Sequence, residues 1–245
     1  MIPKIIHYCW FGRGKMPKLA IDCISSWKRY CSDYELILWN EDNFDINCNQ
    51  YVKEAYKAKK FAFVTDYVRL VALYQHGGVY MDTDVEVLKP LDHFLVYRAF
   101  TGCEKYGLLG AGTIGAEKGH PWIKDLLDDY SERKFILPDG SYDRTPNTQT
   151  IAKITIAKYG WNSKNTHQVL DEELNVFPFD VFCAKDYKTG KIQATENTYT
   201  IHHFSGSWQT NTEKLKSRIQ GLLGSKGTEF VVRTKNKIKG NLKKG

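Results

Sequence analysis

Strand and helix patterns alternate over the first forty residues of the chain. An apolar, β-branched run from Ile2 to Trp10 predicts a strand that ends before Gly12. Apolar residues then recur at helical spacing over residues 20–30, and residues 35–39 predict a short buried strand. A strand–helix–strand unit usually forms a parallel sheet whose strand C-termini line a ligand crevice. The sequence therefore predicts an α/β fold.

The composition fits one folded unit of this class. The chain has 245 residues, 42% hydrophobic and 26% charged, which excludes a collagen-like, disulfide-framed or globally disordered chain. No apolar stretch approaches the roughly 18 residues needed to cross a bilayer, so we expect a soluble protein. The six cysteines form no C-x-x-C pair, which favours reduced thiols and a cytoplasmic location.

The positive charge is concentrated at the C-terminal end of the chain. Residues 213–245 carry ten Lys/Arg against two Asp/Glu, a net charge of +8, which leaves −1 for residues 1–212 of the total of +7. The body of the protein thus lacks the basic surface of a nucleic-acid-binding domain. We predict a catalytic domain over 1–212 and a basic helix or tail over 213–245. The tail is either a partly disordered end or a contact to the anionic inner face of the cell membrane.

A strong helix pattern and a buried strand occupy the middle of the chain. The helix is predicted over residues 61–75, where the glycine pair Gly77-Gly78 ends it. Residues 79–81 predict a buried strand that continues over 85–88.

Two carboxylates, Asp82 and Asp84, lie within that strand pattern. Neighbouring carboxylates repel each other, so a pair of this kind is best stabilised by a cation. Mg²⁺ and Mn²⁺ prefer such oxygen ligands, and bound phosphates often complete their coordination. A solvated acidic turn is the alternative interpretation, because Asp is common in turns.

Asp66 and Arg69 lie three residues apart on the predicted helix and share a face. They form either a local ion pair or a pair directed at sugar hydroxyls, with Arg69 also suited to phosphate.

Two adjacent histidines, His202 and His203, end the last predicted strand, over residues 198–203. Strand alternation places them on opposite faces, so at most one points into a shared site, where an imidazole beside carboxylates favours Mn²⁺. Trp10, at the end of the first strand, either stacks on a nucleobase or packs in the core.

Three segments together resemble one known family. Residues 2–12, the run 63–84 and the segment 202–208 are similar to the DXD-type glycosyltransferases of family 32, which include bacterial capsule and lipopolysaccharide sugar transferases. The run 63–84 is also similar to a block in the clostridial glucosylating toxins. The resemblance implies a type A glycosyltransferase fold, a Rossmann-like sheet that binds a nucleotide sugar and a divalent metal, Mn²⁺ or Mg²⁺.

The resemblance also implies roles for individual residues. Trp10 would stack on the base, most often uracil, and Asp66 and Arg69 would hold the donor sugar. Asp82 would contact ribose and sugar or reach the metal through water, whereas Asp84 would bind the metal directly. The remaining implied residues are Tyr80 in donor binding, His203 as metal ligand with His202 as the alternative, and Ser207 and Trp208 at the β-phosphate.

The related enzymes retain the configuration of the transferred sugar, and no Asp or Glu of this sequence is recognisable as the general base of an inverting enzyme. Asn147, with Thr148 and Gln149, enters a predicted helix over 148–159. These three residues either face the sugar or the acceptor, as amides do in similar enzymes, or cap the helix through Asn147 or Thr148, and capping is the favoured interpretation.

The predicted function is metal-dependent transfer of a sugar from a nucleotide donor with retention of configuration. The resemblance implies a UDP-sugar as the donor and a role in bacterial surface polysaccharide synthesis. The predicted acceptor is a saccharide or a lipid-linked oligosaccharide. A non-catalytic nucleotide-sugar-binding module and a D-x-D phosphatase are the alternatives. The sequence identifies neither the donor sugar nor the acceptor.

Overall fold

The computed structural model describes residues 1–206, so the predicted tail over 213–245 lies outside the described residues. The strands are β1 (Ile5–Cys9), β2 (Glu35–Trp39), β3 (Gly78–Met81), β4 (Val85–Val87), β5 (Ala99–Glu104), β6 (Leu108–Ala116), β7 (Gln168–Val169), β8 (Leu174–Phe177) and β9 (Thr200–His202). The helices are α1 (Lys18–Tyr30), α2 (Gln50–Lys57), α3 (Phe61–His76), α4 (Pro121–Asp128), α5 (Asn147–Tyr159) and α6 (Phe179–Phe182).

The main sheet confirms the α/β class and is mixed rather than parallel. Its strand order is β2-β1-β3-β6-β5-β8-β7. The β1 strand pairs in parallel with both β2 and β3, as the opening strand–helix–strand unit predicts. The β6 strand runs antiparallel to β3 and to β5, which interrupts the parallel arrangement. The carboxyl ends of β1 and β3 therefore meet at one edge of the sheet.

The strand predicted to continue over 85–88 instead breaks at the two carboxylates. The Val85 N–H donates to the Asp82 carbonyl oxygen at 2.9 Å, so the chain makes a turn after β3. The chain then leaves the main sheet as β4, which pairs antiparallel with β9 in a separate two-stranded sheet. The β9 strand, expected in the core sheet, thus lies beside the carboxylate turn, with His202 opposite Val85.

Hydrophobic clusters cover both faces of the main sheet. Tyr80 belongs to the cluster that includes helices α2 to α5, and its strand neighbours Val79 and Met81 belong to the cluster that includes α1. This alternation is what a strand buried on both faces requires. The α2 helix also buries one side against this core, through Tyr51, Val52 and Ala55.

Gly77 and Gly78 serve both the end of α3 and the packing of β3. Gly77 has φ 68° and its N–H donates to the Leu73 carbonyl oxygen, which ends the helix. A Cβ on Gly78 would lie 2.8 Å from the Ile5 carbonyl oxygen, so β3 can approach β1 only with glycine there. Among residues 1–206, no helix has both the length and the hydropathy needed to cross a bilayer.

His7 is fully buried on β1, which lies between β2 and β3, and its two ring nitrogens are matched to partners of the neutral imidazole. The Nε2 atom lies 2.8 Å from the Gly77 carbonyl oxygen and the Trp39 indole N–H donates to Nδ1 at 3.1 Å. Burial lowers the pKa of His7 to about 4. The pKa of His7 in the unfolded chain is 6.5, so the neutral imidazole favours the folded state fully above that pH. As the pH falls toward 4, this contribution to the free energy of unfolding, about 3 kcal/mol, is lost.

We expect the His7 imidazole to stay neutral at pH 6 and the free energy of unfolding to fall between neutral pH and about pH 4. Proton NMR of the imidazole signals, with His7→Gln to assign the resonance, measures the first quantity, and urea unfolding measures the second. A titration midpoint of His7 near 6.5 would contradict this account.

Candidate active site

Two carboxylates and one imidazole converge beyond the carboxyl end of β3. The Nε2 atom of His202 lies 3.2 Å from Asp84 Oδ1 and 3.8 Å from Asp82 Oδ2. One ligand atom from each of the three side chains lies within 4.8 Å of the others. The donor set of two oxygens and one nitrogen fits Mn²⁺ well, because imidazole is a poorer ligand for Mg²⁺.

Each carboxylate has one oxygen fixed by protein donors. Asp82 Oδ1 accepts from the Tyr80 hydroxyl at 2.8 Å, and Asp84 Oδ2 accepts from the Ser205 N–H at 2.7 Å. Asp82 Oδ2 and Asp84 Oδ1 are the oxygens that face His202. The protein thus holds the carboxylates in position and leaves one oxygen of each for a cation.

Asp84 and His202 stabilise each other's charged forms. Burial opposes ionisation of Asp84, but the His202 imidazole and the Ser205 N–H keep the pKa of Asp84 well below its usual range. Burial likewise opposes protonation of His202, and the Asp84 carboxylate outweighs it and raises the pKa of His202 well above 6.5. A proton and a divalent cation therefore compete for the same imidazole nitrogen.

His203, the residue chosen from the sequence as metal ligand, points elsewhere. Its Nε2 lies 2.9 Å from Glu86 Oε2, and only its backbone N–H reaches Asp84, at the carbonyl oxygen. The expectation that the two histidines face opposite sides is confirmed, but the structure places His202 at the carboxylates. Ser207 and Trp208 lie outside the described residues.

Arg69 is the centre of a buried charged cluster. Its Nη2 lies 2.8 Å from Asp66 Oδ1 and 3.3 Å from Asp82 Oδ1, and its Nη1 donates to the Ala111 carbonyl oxygen at 2.6 Å. The guanidinium also lies 4.7 Å from the centre of the Tyr80 ring. The local Asp66–Arg69 ion pair anticipated from the sequence exists, but it is buried and extends to Asp82. Arg69 therefore holds two of the candidate carboxylates at once.

Asn147 joins this cluster and does not cap its helix. The N-cap of α5 is Pro146, with no side-chain hydrogen bond to the helix. The Asn147 amide instead donates to Asp66 Oδ1 at 2.6 Å. The preference for capping was therefore wrong, and the structure brings Asn147 to the side chains expected at the donor sugar.

Trp10 sits at the carboxyl end of β1, at the edge where β3 also ends. It is half-buried and belongs to neither hydrophobic cluster of the described chain. Its indole N–H donates to the Gly14 carbonyl oxygen at 2.6 Å, which fixes the orientation of the ring. Stacking of this ring on a base stays a prediction.

Glu104 and Cys183 also lie beside His202, and sequence reasoning missed both. One ligand atom of each lies within 4.8 Å of a His202 nitrogen. Burial raises the pKa of Glu104 to about 7, and the nearby His202 opposes this shift. Gly112, on β6, makes room for the imidazole, since a Cβ there would lie 2.8 Å from His202 Nδ1. No local pattern links these positions, so only the tertiary fold reveals them.

A segment in the N-terminal half of the chain matches a known family. Residues 17–101 fit the family described as glycosyltransferase sugar-binding region containing DXD motif. The match includes Asp66, Arg69, Asp82 and Asp84. This segment is therefore similar to the sugar-binding region of DXD-motif glycosyltransferases, the likeness that the run 63–84 predicted.

Individual relatives resemble the chain at low identity. Inositol phosphoceramide mannosyltransferase 3 of Schizosaccharomyces pombe is 29% identical over 134 residues, which cover 51% of this chain and only 36% of that protein. The uncharacterized glycosyltransferase L373 of Acanthamoeba polyphaga mimivirus is 24% identical over 88% of this chain and 87% of its own length.

Solved structures show a distant likeness. The PaToxG glycosyltransferase gives a TM-score of 0.47 at 15% identity, over 64% of this chain and 69% of that one. A glycosyltransferase involved in glycosylation of the major capsid of PBCV-1 gives 0.45 at 14% identity, over 83% and 95%. At these scores the likeness adds nothing to the topology described above.

Proposed function

We propose that this protein is a metal-dependent glycosyltransferase that transfers a sugar from a nucleotide donor with retention of configuration. The observation that carries the proposal is the convergence of Asp82, Asp84 and His202 at the sheet edge where β1 and β3 end. The family match over residues 17–101 supports it, because it spans both aspartates and the Asp66–Arg69 pair. The topology of the chain is compatible with the type A glycosyltransferase fold.

Mn²⁺ is the proposed cation and a UDP-sugar the proposed donor. Asp84, His202 and the free oxygen of Asp82 would hold the metal, which when bound neutralises the charge of the departing diphosphate. Asp66, fixed by Arg69 and Asn147, would accept hydrogen bonds from donor sugar hydroxyls. Trp10 would bind the base by stacking.

No general base is needed if the departing phosphate oxygen accepts the acceptor's proton. The chain's task is then to hold the donor in one orientation and to stabilise the charge that develops on the leaving group. The buried cluster around Arg69 serves the first requirement, since each of its side chains is fixed by at least one neighbour.

A saccharide, either free or linked to a lipid, is the proposed acceptor. The names of the fission-yeast relatives, which refer to inositol phosphoceramide, favour an acceptor that is linked to a lipid. By the resemblance to bacterial capsule and lipopolysaccharide transferases, we place the reaction in surface polysaccharide synthesis. A cytoplasmic location, with the basic segment 213–245 at the inner face of the membrane, completes this proposal.

Thermal-shift measurements with a panel of UDP- and GDP-sugars, each with and without Mn²⁺, test the proposal. We expect stabilisation that requires both nucleotide sugar and metal, followed by slow release of the sugar. Binding without sugar release over long incubation would favour a non-catalytic module. Hydrolysis of phosphomonoesters would favour a phosphatase, and the absence of any metal-dependent shift would contradict the proposal.

Replacing Asn147 with alanine should move the acid limb of the activity profile to higher pH. Burial raises the pKa of Asp66 to about 6, whereas Arg69 and the Asn147 amide favour the ionised form. Because the proposal requires ionised Asp66, kcat/KM should fall as the pH drops through about 6 in the wild type. Without the amide, the carboxyl protonates at higher pH. Gln149→Ala, an exposed neighbour in the same helix turn, is the control, and an unchanged limb in Asn147→Ala would contradict the role of Asn147.

A further inference from the structure

A cavity of about 210 Å³ lies beside the turn that joins β5 and β6. Its walls come from residues 103–107 of that hairpin, from the segment 161–165 and from Phe179 at the start of α6. Pockets for drug-sized ligands span about 300–1,000 Å³, so this cavity suits a smaller molecule, of the size of one sugar ring.

The lining combines aromatic rings with groups that form hydrogen bonds. Trp161 and Phe179 offer ring surfaces, and Glu104, Lys105 and Asn165 offer a carboxylate, an ammonium and an amide. Trp161 is 2% exposed, and among residues 1–206 its indole N–H has no hydrogen-bond partner. Aromatic faces with a few placed polar groups suit a polyhydroxylated ring better than a lipid tail, which would leave the buried polar groups unpaired.

The cavity and the candidate metal site share one residue, Glu104. Glu104 lines the cavity and also lies beside His202 and Cys183. Residue 104 therefore connects the wall of the cavity to the surroundings of His202.

A row of aromatic rings leads from the rim of the cavity to the same histidine. Tyr106 at the rim meets Tyr187 at 5.5 Å between ring centres, Tyr187 meets Phe204 at 5.8 Å, and Phe204 stacks on His202 at 4.1 Å. Tyr106 and Tyr187 are 54% and 41% exposed, so their surfaces are accessible to a ligand.

We propose that this cavity binds a sugar ring of the acceptor, and that the Tyr106–Tyr187–Phe204 row supports the saccharide between the cavity and the metal site. The inference rests on the proposed transfer reaction and specifies its acceptor side: a saccharide of at least two rings, one in the cavity and the rest along the row toward His202.

Saturation-transfer NMR with methyl glycosides of glucose, galactose, mannose and N-acetylglucosamine, and with their disaccharides, tests this site without any donor. We expect at least one saccharide to bind the wild type and the disaccharide to bind more tightly. Trp161→Phe removes the unpartnered indole N–H, and it should weaken binding about tenfold. The control is Trp122→Phe, because Trp122 is equally buried but its indole N–H donates to Thr155.

Tyr106→Asn tests the rim without disturbing the fold. Tyr106 and Gly107 have φ values of 69° and 71°, and Asn-Gly is the favoured pair for a hairpin turn with two positive φ angles. We expect this variant to weaken saccharide binding while the thermal midpoint stays that of the wild type. The proposal would be overturned if both Trp161→Phe and Tyr106→Asn bound saccharide as tightly as the wild type does. It would also be overturned if no saccharide in the panel bound the wild-type protein.

Activity measurements separate this inference from the proposed function. Release of sugar from the nucleotide donor in the absence of acceptor depends on the residues proposed to hold the donor and the metal, and Tyr106 is not one of them. We expect Tyr106→Asn to leave this release unchanged and to raise the KM for the acceptor in the transfer reaction. If Tyr106→Asn kept both donor turnover and the acceptor KM of the wild type, only the acceptor site would be overturned. If the wild-type protein never turned over nucleotide sugars, the proposed function itself would be overturned.

Discussion

Replacing Asp84 with asparagine should lower the rate of sugar transfer by at least ~10²–10³-fold at saturating Mn²⁺. The amide oxygen of asparagine can still accept the Ser205 N–H, so the turn should keep its shape. The charge that faces His202 is lost, and with it the main anionic ligand of the proposed cation. The large effect is therefore expected on metal binding and transfer rather than on stability.

The matched control for this substitution is Glu86→Gln. Glu86 lies two residues further along, is 40% exposed and pairs with His203 instead of His202. A contact at this exposed carboxylate contributes little to stability, and its loss should leave transfer close to the wild-type rate. Isothermal titration with Mn²⁺ and a radiochemical transfer assay measure both variants. Undiminished turnover in Asp84→Asn would remove the basis of the metal assignment.

The local elements of the fold could be predicted because each follows from a short pattern. The spacing of apolar residues in α1 and α3, and the β-branched run of β1, depend only on neighbours in the chain. The parallel pairing of β1 with β2 also follows, because a short helical connection leaves few alternatives.

The pairing of β4 with β9 could not be predicted in the same way. The apolar pattern across Asp82-Thr83-Asp84 continues that of β3, so it predicts one strand where the structure has a turn and a change of sheet. Residues 85–87 and 200–202 meet over more than a hundred positions of sequence, and only the packed fold determines that contact. That pairing also decides which histidine reaches the carboxylates.

The residues of the candidate site also fall into two groups, those within one run of sequence and those that only the fold brings together. Asp66, Arg69, Asp82 and Asp84 were identified because they lie within one recognisable run of sequence. Glu104 and Cys183 come from distant segments and carry no pattern of their own. The role of Asn147 was misjudged for a related reason: the first turn of a helix suggests capping, and the buried carboxylate that competes for its amide comes from another helix.

Replacing His202 with asparagine should weaken Mn²⁺ binding more than the same replacement of His203 does. Loss of residues that only orient metal ligands typically costs about 10–100-fold in affinity, so loss of a direct ligand should cost at least that much. Because the imidazole favours Mn²⁺ over Mg²⁺, His202→Asn should also narrow the difference in activity between the two ions.

His203→Asn is the matched variant, since it removes the adjacent imidazole and its contact to Glu86 but leaves the carboxylate pair untouched. We expect it to keep the wild-type Mn²⁺ affinity and ion preference. Titration of both variants with Mn²⁺ and Mg²⁺, monitored by calorimetry and by donor turnover, separates the two histidines. If His203→Asn lost metal binding and His202→Asn kept it, the ligand implied by the family resemblance would be right, and the geometry of β9 described above would not be that of the metal-bound enzyme.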